Sequence, residues 1–199
     1  MNYQGTRIEI NLNNLKNNLD YLRNHLKPET SILCVVKAFG YGSNPIQIGK
    51  FLEKNNINYL AVAYTNEGIN LRKSGIKLPI LILHPQFDDF DDIINYKLEP
   101  NIYSFRILDS FLQKNTIHPF HIKFNTGLNR LGFGINDIDK LHKLLPSDSN
   151  IKFIFSHLGA SEDLTEKPFT INQINLFCNI SKKMELKFGK TFKKHLLNT

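Results

Sequence analysis

At 199 residues the chain is long enough for one sizeable domain with a real core, and 41% hydrophobic residues is ordinary for a globular protein. A formal charge of +7 comes from scattered basic residues, with short pairs such as Lys182-Lys183 and Lys193-Lys194 and no basic stripe interleaved with aromatics, so no nucleic-acid partner is expected. No apolar run nears the roughly 20 residues of a membrane helix. MNYQGTRIEINL has no signal-peptide h-region, and Cys34 and Cys178 stand far apart in apolar contexts, which favours reduced thiols and the cytoplasm.

RIEINL, residues 7–12, alternates like a strand. Leucines at 12, 15, 19, 22 and 26 then mark a helix that Pro28 closes. From there short apolar runs recur: SILCVV (31–36), YLAVA (59–63), PILIL (79–83), EPNIY (99–103), the FHIKF run within 119–124, IKFIFS (151–156) and FKKHLLN (192–198). Helical spacing fills the gaps, as with Ile46, Ile48, Phe51 and Leu52, with Phe105, Leu108, Phe111 and Leu112, and with Ile171, Ile174, Phe177, Cys178 and Met184. Strands alternating with helices predict βαβ units and a parallel sheet. A doubly wound sheet would want G-x-G-x-x-G after its first strand, and KAFGYGSN supplies only part of it. A (β/α)8 barrel predicts polar residues at several strand ends, and Lys37, Asn125-Thr126-Gly127, His157 and Asn198-Thr199 stand at such ends.

Three stretches carry chemistry. In LCVVKAFGYG a buried strand is expected to run into Lys37, whose amine would become a better nucleophile through desolvation. Such lysines form Schiff bases with carbonyl substrates or pyridoxal phosphate, although a strand-end lysine can also simply reach solvent. Gly40 and Gly42 let backbone approach a ligand, and Tyr41 offers a hydroxyl nearby. In HIKFNTGLNRLGFG, Arg130 is a cation at a strand mouth, suited to a carboxylate or phenolate or to a surface ion pair. In FSHLGASED, His157 ends its strand among apolar residues.

Together these stretches resemble the alanine racemase family. LCVVKAFGYGS is similar to its lysine motif VVKANAYGHG, IKFNTGLNRLGF to K-x-D-T-G-M-x-R-L-G-F, SHLGASED to T-H-F-A-x-A-D-E, and HLLNT to H-x-x-N-S. The matches fall in the family's order and span the chain. The resemblance implies a TIM-type (β/α)8 barrel, the family's N-terminal pyridoxal-phosphate domain (fold type III), over residues 1–199. It implies that Lys37 binds the cofactor covalently and serves as an acid-base group. Tyr41 would contact the phosphate, Arg130 the phenolic oxygen and the substrate side of the site, and His157 the pyridine ring. Asn198 and Thr199 would lie near the cofactor, Thr199 standing where the family has a phosphate-binding serine. Lys123 aligns with a lysine carbamylated in some members, Asn125 replaces an aspartate, and His121 and His195 take supporting places. No metal is expected.

The implied function is racemisation of L-alanine to D-alanine for peptidoglycan, by a homodimer. Only about seven barrel strands are present, and the C-terminal β domain with its opposite-face tyrosine is not. The expectation is therefore a fragment with little activity alone. A single-domain pyridoxal-phosphate carrier, a non-catalytic partner subunit, and a serine or broad-specificity racemase stay open.

Overall fold

The computed structural model describes residues 5–196. Its first helix is α1, Leu12–Asn24, and it starts where Asn11 takes the N–H groups of Asn13 and Asn14 on its side-chain oxygen, at 2.9 and 3.2 Å. The strand expected over 7–12 does not form. Ile8 is 74% exposed, Arg7 pairs with Glu9 on the surface, and alternation without a neighbouring strand to complete a ladder leaves the segment irregular.

The described residues belong to two compact units, the first comprising residues up to Leu83 plus Tyr96–Leu98 and the second His84–Asn95 plus Glu99 onward. In the first, β1 (Leu33–Val35), β2 (Tyr59–Val62) and β3 (Ile80–Ile82) pair in parallel. They alternate with the short turn α2 (Lys37–Tyr41), α3 (Pro45–Lys54) and α4 (Thr65–Lys73). Leu60, Ala61, Val62, Ile80, Leu81 and Ile82 are wholly buried, each large aliphatic side chain contributing about 1.5–3 kcal/mol. Gly68 lets α4 lie close, since a Cβ there would stand 2.7 Å from Ile82 Cδ1 and 3.1 Å from Leu98 Cδ1. In the last turn of α4, Arg72 donates to the carbonyls of Ile76, Leu78, Tyr96 and Lys97. The expectation of a deeply buried strand before Lys37 needs correcting. β1 is half-buried, with Val35 38% exposed, because it pairs with β2 and sits at the end of the strand order.

The second unit holds β4 (Glu99–Ile102), β5 (Phe120–Lys123), β6 (Ile151–Phe155) and β7 (Lys193–His195), again parallel and in chain order. Its helices are α5 (Phe90–Asn95), α6 (Phe105–Leu112), α7 (Ile138–Leu144) and α8 (Lys167–Phe188). Alternation in β5 sorts its side chains onto two faces. Phe120, Ile122 and Phe124 take one, where Phe120 meets Phe111 of α6 at 4.9 Å between ring centres. His121 and Lys123 take the other, beside Phe153, Phe155 and His195. Order without reversal in either sheet is the pattern of a (β/α)8 barrel, not of a doubly wound sheet. The seven strands expected from residue 31 onward are all present, the first six one to three residues shorter than the apolar runs that predicted them; β7 occupies 193–195 of the 192–198 run, whose far end lies outside the described residues.

Candidate active site

Lys37 follows β1 directly and opens α2. After it the chain turns the unusual way. Ala38, Phe39, Gly40 and Tyr41 all have φ between 51° and 64°, and Gly42 follows at 88°. A left-handed residue with a Cβ costs about 1–2 kcal/mol, so a run of this kind must be held by its surroundings. Gly40 N–H donates to Val36 O at 3.1 Å, Gly42 N–H to Phe39 O and Ser43 N–H to Gly40 O. Gly40 is buried against Pro45, with space for a Cβ only 3.1 Å from the Pro45 nitrogen. Asn44 then caps α3 by accepting from Gln47 N–H. The result presents Lys37 half-buried and Tyr41 65% exposed on the same turn. The Lys37 amine makes no ion pair or hydrogen bond among the described residues. The glutamate at the third position of α4, Glu67, reaches back to this turn, with one oxygen 2.6 Å from Ala38 N.

In the second unit the chain after β5 closes a loop on itself. Phe133 N–H donates to Lys123 O and Asn125 N–H to Phe133 O, both at 2.9 Å. Within the loop the Asn125 oxygen accepts from Gly127 N–H and Asn129 N–H at 3.0 Å, and its amide donates to Asn129 Oδ1 at 2.8 Å. An aspartate could not make that last bond, so the replacement at 125 is built into this loop. Arg130 is exposed at the loop's far side and makes no ion pair or hydrogen bond among the described residues.

His157 follows β6. Its loop is tied to the Arg130 loop by Thr126 Oγ1 and Ser156 Oγ at 2.8 Å, and by Gln173 of α8. Wholly buried Gln173 donates to His157 O (3.1 Å) and Thr126 Oγ1 (3.3 Å) and accepts from Gly159 N–H (2.9 Å). Phe169 fills the space beside Gly127 and Gly159, where a Cβ on either would come within 3.1 Å of its ring. Arg130 and His157 thus sit on two loops braced as one piece.

Below them is a row of aromatic and titratable side chains. His121 donates Nε2–H to the Glu99 carboxylate at 2.8 Å and stacks on Phe153. Burial outweighs the pull of Glu99 and holds its pKa below the usual histidine value. His195 stacks on Phe155 at 4.3 Å, and Lys123 Nζ lies 5.5 Å from the same ring. Burial, then the positive potential of His121, Lys123 and His157, lowers the His195 pKa to about 3. Its Nε2 is shielded from solvent and unpaired among the described residues. Asn198 and Thr199 lie outside the described residues.

Residues 10–199 match the model of the family described as "Alanine racemase, N-terminal domain". The chain belongs to the alanine racemase family. It is 36% identical over 201 residues to an alanine racemase of Rickettsia canadensis, which covers 96% of this chain and 54% of that protein. Alanine racemase of Rickettsia prowazekii is 40% identical over 179 residues, 85% of this chain and 44% of its own length. Among solved structures, an alanine racemase of Clostridium difficile 630 superposes with a TM-score of 0.87 at 31% identity, over 96% of this chain and 51% of that one. The fold is therefore the barrel of the family's N-terminal domain. The chain spans about half the length of the curated relatives it matches.

Taken one by one, these side chains suit pyridoxal phosphate on their own chemistry. In the first unit Lys37 offers a primary amine with no ion pair or hydrogen bond among the described residues, and Tyr41 an exposed side chain ending in a hydroxyl. In the second, Arg130 offers an exposed guanidinium, also without such a partner among the described residues, for an anionic oxygen. Reading the sequence missed Glu67 and Gln173. The only local sign of Glu67 was its place four residues after the end of the YLAVA run, where a glutamate caps a helix. Gln173 had none, because a glutamine inside a helical pattern looks solvated until its burial is known.

Proposed function

We propose that the protein racemises alanine with pyridoxal 5'-phosphate, supplying D-alanine for peptidoglycan. The observation that carries this is Lys37, its amine without an ion pair or hydrogen bond among the described residues, at the head of a turn held in the left-handed region, within a chain that matches the family model over residues 10–199. Bound there, the cofactor supplies an electron sink that makes the α-proton of an amino acid acidic. Lys37 then has two tasks, holding the aldehyde carbon and moving a proton to or from the substrate α-carbon on one face. Arg130 donates to the phenolic oxygen and stands on the substrate side. Tyr41, with Asn198 and Thr199, serves the phosphate end, and His157 packs on the ring. A base for the opposite face is not among the residues assigned here, and we assign it to the part of the relatives' length that this chain does not match, with a homodimer as the working assembly. A cytoplasmic setting agrees with two free cysteines. Among the described residues no helix is long and apolar enough to cross a membrane.

The test is a coupled D-alanine assay beside borohydride trapping of cofactor on the protein, with wild type and Lys37→Ala. Wild type is expected to carry trapped cofactor on the peptide containing Lys37 and the variant none. Trapping without any change in alanine chirality, by protein from the complete reading frame, would replace this reading with a carrier. Absence of trapping would replace it with a non-catalytic partner.

A further inference from the structure

We infer that Glu67 is a positioning residue for Lys37, an inference that rests on the reading of Lys37 as the cofactor lysine. The two oxygens of its carboxylate do different things. Oε2 accepts from Ala63 N–H (2.7 Å) and Tyr64 N–H (3.0 Å), which is ordinary capping of the first turn of α4. Oε1 is not needed for that. It accepts instead from Ala38 N–H at 2.6 Å, 29 residues upstream.

That bond matters because of which peptide it holds. Two peptide planes flank Lys37. The plane before it carries the Val36 carbonyl and is pinned where that oxygen accepts from Gly40 N–H at 3.1 Å; one plane earlier, Val36 N–H donates to Ala61 O at 2.8 Å. The plane after it carries the Ala38 N–H and is pinned by Glu67. With both planes fixed, φ and ψ of Lys37 are fixed, and so is the direction in which its side chain leaves the backbone. The bond is also where the left-handed run starts, at Ala38. A carboxylate acceptor makes it a charge-assisted bond, of the stronger kind. Lys37 itself lies on a half-buried strand end, so packing alone does not aim it. Glu67 touches neither reacting atom and acts through the backbone.

Glu67→Gln separates the two tasks. Its single carbonyl oxygen is drawn to the two donors at Ala63 and Tyr64, and the amide NH2 then faces the Ala38 N–H, donor against donor. The experiment uses protein from the complete reading frame. Amide exchange is followed without cofactor, and the rate of borohydride-trappable loading of pyridoxal phosphate on Lys37 is followed separately. We expect Glu67→Gln to speed exchange at Ala38 at least tenfold, to leave Ala63 and Tyr64 within twofold, and to slow loading at least fivefold. Arg72→Ala, at the opposite end of α4, controls for plain loss of stability. It should lower the melting temperature and leave the loading rate within twofold. Loading of Glu67→Gln at the wild-type rate, with wild type loaded on Lys37, would overturn the positioning role alone. Slowing by Arg72→Ala as large as by Glu67→Gln would do the same. Failure of wild type to load would overturn the reading of Lys37, and with it the purpose of the tether.

Discussion

The turn after β1 and the loop after β5 both follow strand ends and both present a cation, but they are built in opposite ways. The first carries Lys37 just ahead of a run of left-handed residues and is fastened from outside by Glu67. The second carries Arg130 on a loop that its own Asn125 organises and Gly132 closes, with Gln173 bracing it to the next loop. A residue that must hold one orientation is locked at its backbone. An exposed guanidinium with a long stem needs only a firm platform.

Four substitutions or conditions and one labelling experiment sharpen that contrast. The largest effect is expected at Gly132, where φ is 124° and a Cβ would stand 2.7 Å from both Asn125 N and Phe124 C. Gly132→Ala should cost about 4 kcal/mol, because backbone strain and overlap add and the atoms met are main chain. Urea unfolding measures it, and a loss under 1 kcal/mol would mean the loop closes differently.

Gln173→Leu comes next, at about 3 kcal/mol. It strips partners from His157 O, Gly159 N–H and Thr126 Oγ1 together. Lower affinity for pyridoxal phosphate should accompany it if the braced loops carry Arg130 and His157 as proposed.

Acid should act mainly on the second unit. His121 and His195 both have folded pKa values below the ordinary 6.5, His195 at about 3. Between those limits the unfolded chain takes up protons that the folded one refuses. Stability is therefore complete above about pH 6.5 and falls as pH drops towards the folded values. A loss of about 2 kcal/mol between pH 6.5 and pH 5 is expected, within the ~1.4 kcal/mol per pH unit allowed to each group. His195→Phe should flatten the curve, and an unchanged slope would contradict the burial of this ring.

Gly42→Ala tests the first region. Its φ is 88°, but nothing lies within 4 Å of the added Cβ, so the cost is conformational only, about 1 kcal/mol. The smallest effect separates the two thiols. Burial pushes Cys34 up to about 11, whereas Cys178 is exposed, so iodoacetamide at pH 8 should label Cys178 first, as peptide mass spectrometry would read.

Much of this was written along the chain. The apolar runs marked every β-strand of the described residues, and the lysine, arginine and histidine motifs marked three strand ends. RIEINL misled because alternation records a preference that only a neighbouring strand can satisfy. The SILCVV run reads as buried because hydrophobicity is local, whereas exposure of Val35 depends on β1 standing last in its sheet. Neither Glu67 nor Gln173 could be assigned, since the partners of one lie as far as 29 residues away and those of the other up to 47.

The sequence by itself determined the alternating elements, the family, and which side chains stand at the strand ends, because those follow from spacing and residue type within a few positions. Only the tertiary structure decided that the chain after Lys37 runs left-handed, that Glu67 holds it, and that Gln173 joins the Arg130 and His157 loops. These rest on hydrogen bonds between segments distant in sequence, and no local pattern specifies where a buried donor or a second carboxylate oxygen will find its partner.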